Sequence, residues 1–452
     1  MNSIRPAAVA GMFYPGDART LAAEVDDLLG GATQPVPRLG YPKALIVPHA
    51  GYVYSGAVAA RAYDELIPAR GMVRRVVLLG PTHRVAVKGL AVPSSEAFAT
   101  PLGSVRIDSE ALRAVSDLPQ VLVSDPAHAL EHSLEVQLPF LQKVLGDFAL
   151  APFAVGSASV REVAEVIERL WGGAETLVVI STDMSHYHTY EQARAMDDAT
   201  LARIAGFATD INHREACGAT PLNGLLFASK KKGLSLKLLS ACNSGDTAGG
   251  KGRVVGYSAF GLYEGGEVSL DEAGKALLAI ARGAIEAKLF NKAEARKDLS
   301  WLRQTGATFV TLTRNGVLRG CIGSLRPARA LGEDVAHNAL GAAFRDPRFP
   351  AMSAEDWPHC RVEVSLLSMP KPIRFADEAD LLAQITPGED GLILEGRLDA
   401  AVKRGTFLPQ VWEGIPEKRA FLAQLLKKAK LPTDTRLTSC KVWRYRVAKW
   451  KE

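Results

Sequence analysis

Through the first 264 residues, short apolar runs alternate with amphipathic stretches. The runs at 44–49, 75–80, 177–181, 235–240 and 254–263 read as strands. Between them, apolar residues recur at the helical period over 55–66, 133–145, 159–171, 191–205 and 223–233. Apolar strands alternating with helices predict an α/β domain whose sheet is covered on both faces. The pattern then changes. Two glycines in YEGGEVSLDEAG precede Ser269, which with Glu272 forms a capping box for a helix over 271–289. Beyond it, the stretch 307–325 reads as a hairpin turning at Asn315-Gly316, a pair suited to a type I′ turn. A helix over 336–344, a strand over 361–369, a second hairpin around Gly391, a cationic helix over 417–431 and a final strand over 438–450 follow. The prediction is two domains, 1–264 and 265–452, the second a smaller mixed α/β (α+β) unit.

Composition fits this picture. The 452 residues are 47% hydrophobic and 23% charged, as in globular proteins. No apolar run reaches the roughly 18 residues of a membrane span, and the first residues lack the apolar centre of a signal peptide. Five cysteines, at 217, 242, 321, 360 and 440, show no paired spacing. Together these predict reduced thiols, a cytoplasmic location and no membrane partner. The net charge of +5 is uneven: from Gly266 onward, 30 Lys and Arg face 23 Asp and Glu, while seven of the nine histidines precede that point. The chemistry is therefore expected in the first domain.

Three polar residues stand just past the carboxyl ends of apolar runs: His49 in IVPHAGYVYSG, His83 in LLGPTHR and Asp246 in CNSGDTAGG. Strand ends of this kind converge on the ligand crevice of an open α/β sheet. Two histidines and one carboxylate form the donor set of non-haem Fe(II) sites, which leaves positions open for substrate or O₂. The bland alternative is that each is a hydrogen-bonded turn residue. His128, Glu131 and His132 also spell H-x-x-E-H, a zinc-peptidase signature if helical. In the second domain Cys321 lies between Gly320 and Gly323, where a ligand is expected to reach the backbone, and Arg319 is expected to activate its thiol. The alternative is a small buried hydrophobe. The basic, aromatic carboxyl-terminal stretch fits nucleic-acid binding or an ordinary half-buried strand.

RPAAVAGMFYP, PHAGYVYSG, GPTHR, EHSLEVQLPFL, STDMSHY and NSGDTAG, spread over residues 5–249, resemble the Memo family. That family in turn is similar to class III extradiol dioxygenases. LRGCIGSL, FRDPRFP and EVSLLSMPKPI, over 318–373, resemble the AMMECR family. The chain thus looks like a fusion of two components of the AmmeMemoRadiSam system. The resemblance implies a dioxygenase-like first domain with His49 and His83 as metal ligands and Asp246 where animal Memo proteins have cysteine. A carboxylate there shifts preference toward Fe(II), with Zn, Mn or Cu as alternatives. It further implies His186 as acid/base, Asp183, His132 and Glu135 as pocket groups, and a radical-SAM protein as partner. The reading is an iron-dependent redox protein acting on an unknown small molecule or peptide. The alternatives are a non-catalytic ligand-binding or assembly module, and an RNA or nucleotide modification factor.

Overall fold

In the computed structural model, residues 3–32, 39–265, 268–292, 299–399 and 401–452 are described. They form two compact units, one from the residues between Ser3 and Gly265 except Leu39 and Gly40, the other from Leu39, Gly40 and Val268 onward. Among the described residues, no helix is long and apolar enough to cross a membrane.

The first unit is built on a mixed sheet of nine strands. At its centre run four mutually parallel strands, in the order Ala44–Val47, Thr176–Ser181, Arg75–Pro81 and Ala149–Val155. Every predicted strand is present. Alternate residues of these strands enter two different cores: Leu45, Val47, Val76 and Leu78 pack on one face, Ala44, Ile46, Val77 and Leu79 on the other. That division follows from the two-residue period of a strand, and it explains why the strands are apolar throughout. Val254–Tyr263 runs antiparallel beside Ala44–Val47, and Ser235–Asn243 pairs with Val254–Tyr263.

The helices begin and end where local chemistry dictates. The expected helix over 133–145 opens as a 3-10 turn at Glu135–Gln137 and becomes α-helical only at Leu138–Leu145, with Pro139 in the first turn, where no N–H is needed. A helix at Ala18–Gly31, not singled out by the pattern analysis, is capped by the Asp17 side chain and buries Leu21 and Val25, one turn apart.

The second unit holds two four-stranded sheets. The first has the order Val317–Gly323, Thr308–Arg314, Cys360–Leu367, Val447–Lys451; the second has the order Lys371–Ile373, Lys441–Tyr445, Gly391–Leu398, Ala401–Phe407. The Asn315-Gly316 turn forms as expected, with φ of 50° and 80°. The expected single strand over 438–450 is instead two strands in different sheets. The chain breaks at Arg446, whose N–H donates to Ser368 Oγ and whose guanidinium lies 2.6 Å from Glu389.

The glycines around Cys321 serve packing rather than ligand approach. A Cβ on Gly320 would lie 2.1 Å from the Ala342 carbonyl oxygen on the helix Leu331–Phe344, and one on Gly323 would enter the Phe309 ring. Gly320→Ala is therefore expected to destabilise the second unit by about 1–3 kcal/mol. Urea denaturation would show this as a lowered midpoint for that unit alone; an unchanged midpoint would contradict the packing role.

Candidate metal centre

The parallel strands Ala44–Val47, Arg75–Pro81 and Thr176–Ser181 end side by side, and the residues just beyond them are His49, His83 and Asp183. A fourth segment is brought in by a small residue. A Cβ on Gly80 would lie 2.8 Å from Ser133 Oγ, which donates to the Pro81 carbonyl. With glycine there, the 131–133 segment packs against the strand end and places His132 beside His83. The ring centroids stand 4.6 Å apart for His83 and His132, 5.2 Å for His49 and His83, and 5.4 Å for His49 and His132. Each imidazole offers one nitrogen, and the three nitrogens lie within 4.8 Å of one another.

The surrounding hydrogen bonds fix the tautomers. Ser181 Oγ donates its one proton to the Ser133 carbonyl at 2.6 Å and accepts from Gln137 Nε2 at 2.8 Å. Its contact with His49 Nδ1 at 2.9 Å must then be donated by the imidazole, leaving Nε2 with its lone pair. Glu131 does the same for His83 and stands close to His132. Its Oε1 accepts from His83 Nδ1 at 2.9 Å and lies 3.3 Å from His132 Nδ1. Burial pushes the Glu131 carboxyl up, but hydrogen bonding from His83, its charge, and the backbone N–H groups of His83 and Ser133 outweigh this and hold it at about 2. It is an acceptor only, so His83 donates from Nδ1 and turns Nε2 away from it.

Burial, then the neighbouring His83 and His132, pushes His49 well below the usual histidine range; burial alone is the largest cause that takes His132 to about 4. Three clustered imidazoles backed by one carboxylate are a donor set that fits a divalent transition metal. Cys217, which the sequence marked only as structural, has its Sγ 3.3 Å from His49 Nε2. Burial, then Asp183, pushes this thiol up to about 12, so it stays protonated as the donor, with the Asp183 carbonyl at 3.7 Å as its other acceptor.

Asp183 Oδ1 accepts the His49 backbone N–H at 2.7 Å, and burial pushes its carboxyl up to about 7. His186 Nδ1 donates to the Met184 carbonyl at 2.8 Å, which leaves Nε2 as a base; burial keeps the ring below its ordinary value. Tyr187 beside it takes φ of 63° at a β-bulge, backbone strain of the kind that collects at functional sites.

The structure does not bring Asp246 to the histidines. The strand before it is separated from Ala44–Val47 by Val254–Tyr263, and two interstrand spacings amount to roughly 10 Å. Its carboxylate instead accepts the Tyr190 hydroxyl at 2.5 Å and the Asn243 N–H at 3.0 Å. His132 instead joins His49 and His83 in the cluster. Glu135 is fully buried and is an anchor: it accepts from Arg5, Ala8 N, Val9 N and the Tyr14 hydroxyl, and so holds the amino-terminal segment whose Phe13 ring lies 4.7 Å from His132. The H-x-x-E-H spelling does not make a helical pair, because the helix ends at Ala129 and His128 is buried with Nε2 on the Ala91 carbonyl.

Cys321 lies in the second unit, its Sγ accepting from Thr311 Oγ1 at 3.4 Å and its N–H donating to Asp346. Arg319 turns away from it, toward the Ala351 carbonyl and Asp356, at a β-bulge. Among the carboxyl-terminal cations, Arg444 donates to the Gln384 carbonyl, Arg446 lies 2.6 Å from Glu389, and Lys449 lies 3.7 Å from Glu363.

An α/β unit with a histidine cluster at its strand ends, joined to a second α+β unit, defines the class. Residues 5–260 match the family model described as Memo-like protein, and residues 278–450 match that of AMMECR1. The chain belongs to the Memo family and carries an AMMECR1 domain fused behind it. It is 37% identical to a MEMO1 family protein of Aquifex aeolicus over 268 residues, which is 56% of this chain and 97% of that one. It is 38% identical to a MEMO1 family protein of Methanopyrus kandleri over 283 residues, 58% of this chain and 99% of that one. Among solved structures, an uncharacterized protein from Pyrococcus horikoshii is 34% identical, with a TM-score of 0.36, covering 40% of this chain and 92% of that one.

Arg5 is buried and its Nη1 lies 2.5 Å from Glu135. Glu135→Gln leaves that charge without its partner, at an expected cost of about 3–5 kcal/mol to the first unit. Chemical denaturation followed at the aromatic bands measures it; a cost within noise would remove the anchoring role.

Proposed function

We propose that the first unit holds a single transition-metal ion on Nε2 of His49, His83 and His132, and that the chain is a metal-dependent redox protein related in chemistry to the extradiol dioxygenases. The observation that carries this reading is the convergence of three imidazole nitrogens within 4.8 Å of one another, with Ser181 and Glu131 fixing the tautomers of His49 and His83. Fe(II) is the preferred occupant, because its redox chemistry suits the dioxygenase resemblance; imidazole donors also suit Zn(II) or Cu, and Mn(II) less well. Such an ion supplies a Lewis-acidic, redox-active centre with positions left for substrate. The protein's own part is to accept a proton at His186 Nε2 and to hold His49 in place through Asp183. The fused AMMECR1 domain supports action beside a radical-SAM protein, since fusion raises the effective concentration of the two units.

A second reading is favoured by one observation. Met12, Val53 and Tyr54 are exposed apolar side chains near Phe13, whose carbonyl accepts the Tyr52 N–H. A binding module for a peptide or small ligand would use such a rim without turnover.

Elemental mass spectrometry of protein purified without oxygen and without a chelating tag tests the metal. One ion per chain is expected in the wild type and in Asp246→Ala, and its loss in His132→Ala. Loss in Asp246→Ala with retention in His132→Ala would return the third position to the aspartate. No metal in the wild type, even after Fe(II) is added, would favour the binding module. Glu131→Gln should lower metal affinity about 10–100-fold, read by competition with a chromophoric chelator.

A further inference from the structure

We propose a second ligand site at the opposite end of the first unit's sheet, one that takes the phosphate monoester of a hydroxylated small molecule such as a sugar phosphate. The phosphoryl group lies between Arg74 and Arg106, and the hydroxylated part fills the serine-lined cavity beside them.

Strands that end near the histidines begin at this site. Arg75 opens Arg75–Pro81, Ala149 opens Ala149–Val155, and Glu175 directly precedes Thr176–Ser181. All three residues line a cavity of about 420 Å³. Six steps of about 3.3 Å separate Arg75 from Pro81, so roughly 20 Å of strand lies between this cavity and the histidine end. The site therefore stands independently of what the histidines hold. Its remaining wall comes from the end of the strand Gly103–Arg106 and the turn after it. The Asp108 N–H donates to the Leu150 carbonyl at 2.7 Å, which docks that turn beside Ala149 and brings Arg106 and Ser109 to the cavity.

By formal charge the cavity is balanced, three arginines against three carboxylates. The balance does not hold locally. Asp108 accepts Arg75 Nε at 2.6 Å and the Ala111 N–H at 2.9 Å. Glu175 accepts the Gly173 N–H and the Thr176 hydroxyl, each at 2.9 Å. Glu110 is 86% exposed and lies 3.7 Å from the same Arg75. Arg74 and Arg106, by contrast, engage no ion pair and no side-chain hydrogen bond among the described residues. Two uncommitted guanidiniums on one cavity match the double charge and tetrahedral oxygens of a phosphoryl group better than the single charge of a carboxylate.

Arg106 and Ser109 also line a second cavity, of about 600 Å³, so the two cavities share these side chains. Both volumes are those of small-molecule sites. The polar lining of the second includes Ser95, Ser104 and Glu96, beside the apolar Ile4 and Leu112. The Ser95 hydroxyl is buried with no hydrogen-bond partner among the described residues, a group that a ligand hydroxyl would satisfy. A sugar offers donors to Glu96, either role to Ser95, and C–H surface to Ile4 and Leu112.

Calorimetric titration of the full chain with ribose 5-phosphate, inorganic phosphate and ribose tests this. The wild type is expected to bind ribose 5-phosphate most tightly, inorganic phosphate less so, and ribose too weakly to measure. Arg74→Gln and Arg106→Gln should each weaken ribose 5-phosphate at least about tenfold. Glu110→Gln, which removes a loosely held carboxylate, should tighten it about threefold. Ser95→Ala should weaken ribose 5-phosphate and leave inorganic phosphate as in the wild type. Both arginines are exposed, so their variants are expected to fold, and an unchanged thermal midpoint without ligand checks this. Phosphate binding untouched by either arginine variant would overturn the proposal, as would a wild type that binds neither phosphate. Ribose bound as tightly as its phosphate would remove the role of the arginines. Equal affinity for ribose 5-phosphate and inorganic phosphate would overturn the sugar-binding half.

Discussion

The buried carboxylate of Glu131 is the constraint on which the histidine centre depends. Its two oxygens accept the backbone N–H groups of His83, His132 and Ser133, and the same carboxylate takes the Nδ1 proton of His83 and stands against that of His132. A carboxylate removed from water costs several kcal/mol unless every lone pair is used. Here they are used by groups from two segments nearly fifty residues apart in the chain. The carboxylate can be satisfied only when the end of the Arg75–Pro81 strand and the 131–133 segment are together. Folding of this corner and alignment of two of the three imidazoles are therefore one event.

Much of this was legible in the sequence, and the reasons are particular. The apolar runs at 44–49, 75–80 and 177–181 had to be central strands, because no other arrangement buries both faces of such a run. The residues just past them then had to lie together, which located His49 and His83; Asp183 was read through the family resemblance. Asp246 obeyed the same rule and still stands apart. The rule says which edge of the sheet a residue reaches, not how many strands away it is, and Val254–Tyr263 intervenes. His132 follows no strand, and was legible through family resemblance and through the H-x-x-E-H spelling, whose helical pairing does not form. A physical signal was present in Gly80, whose missing side chain admits Ser133. Cys217 carried no signal at all: its approach to His49 depends on the crossing of the 182–183 and 217–218 segments, where the Gly218 N–H donates to Thr182 Oγ1.

Glycine misled in the second unit for a related reason. A glycine shows that something comes close, not what it is. Beside Cys321 the close neighbours are the Ala342 carbonyl and the Phe309 ring, both parts of the unit's own core. Likewise the alternation in KVWRYRV was right for a strand locally, but Arg446 bonds the 368 and 389–390 segments and turns the chain from one sheet to the other.

The reluctance of His49 and His132 to take a proton follows from their packing. A proton on either would place a positive charge against two other rings about 5 Å away, in the case of His49 out of reach of water, with Glu131 as the nearest compensation. The same geometry that disfavours a proton favours a dication, because a metal draws on all three lone pairs at once while a proton occupies one. Glu131 fixes the His83 ring, and under the proposed metal reading it would supply negative charge behind His83 and His132. Asp183 adds to this only as far as its burial lets it ionise, which ties the site's total charge to what occupies it.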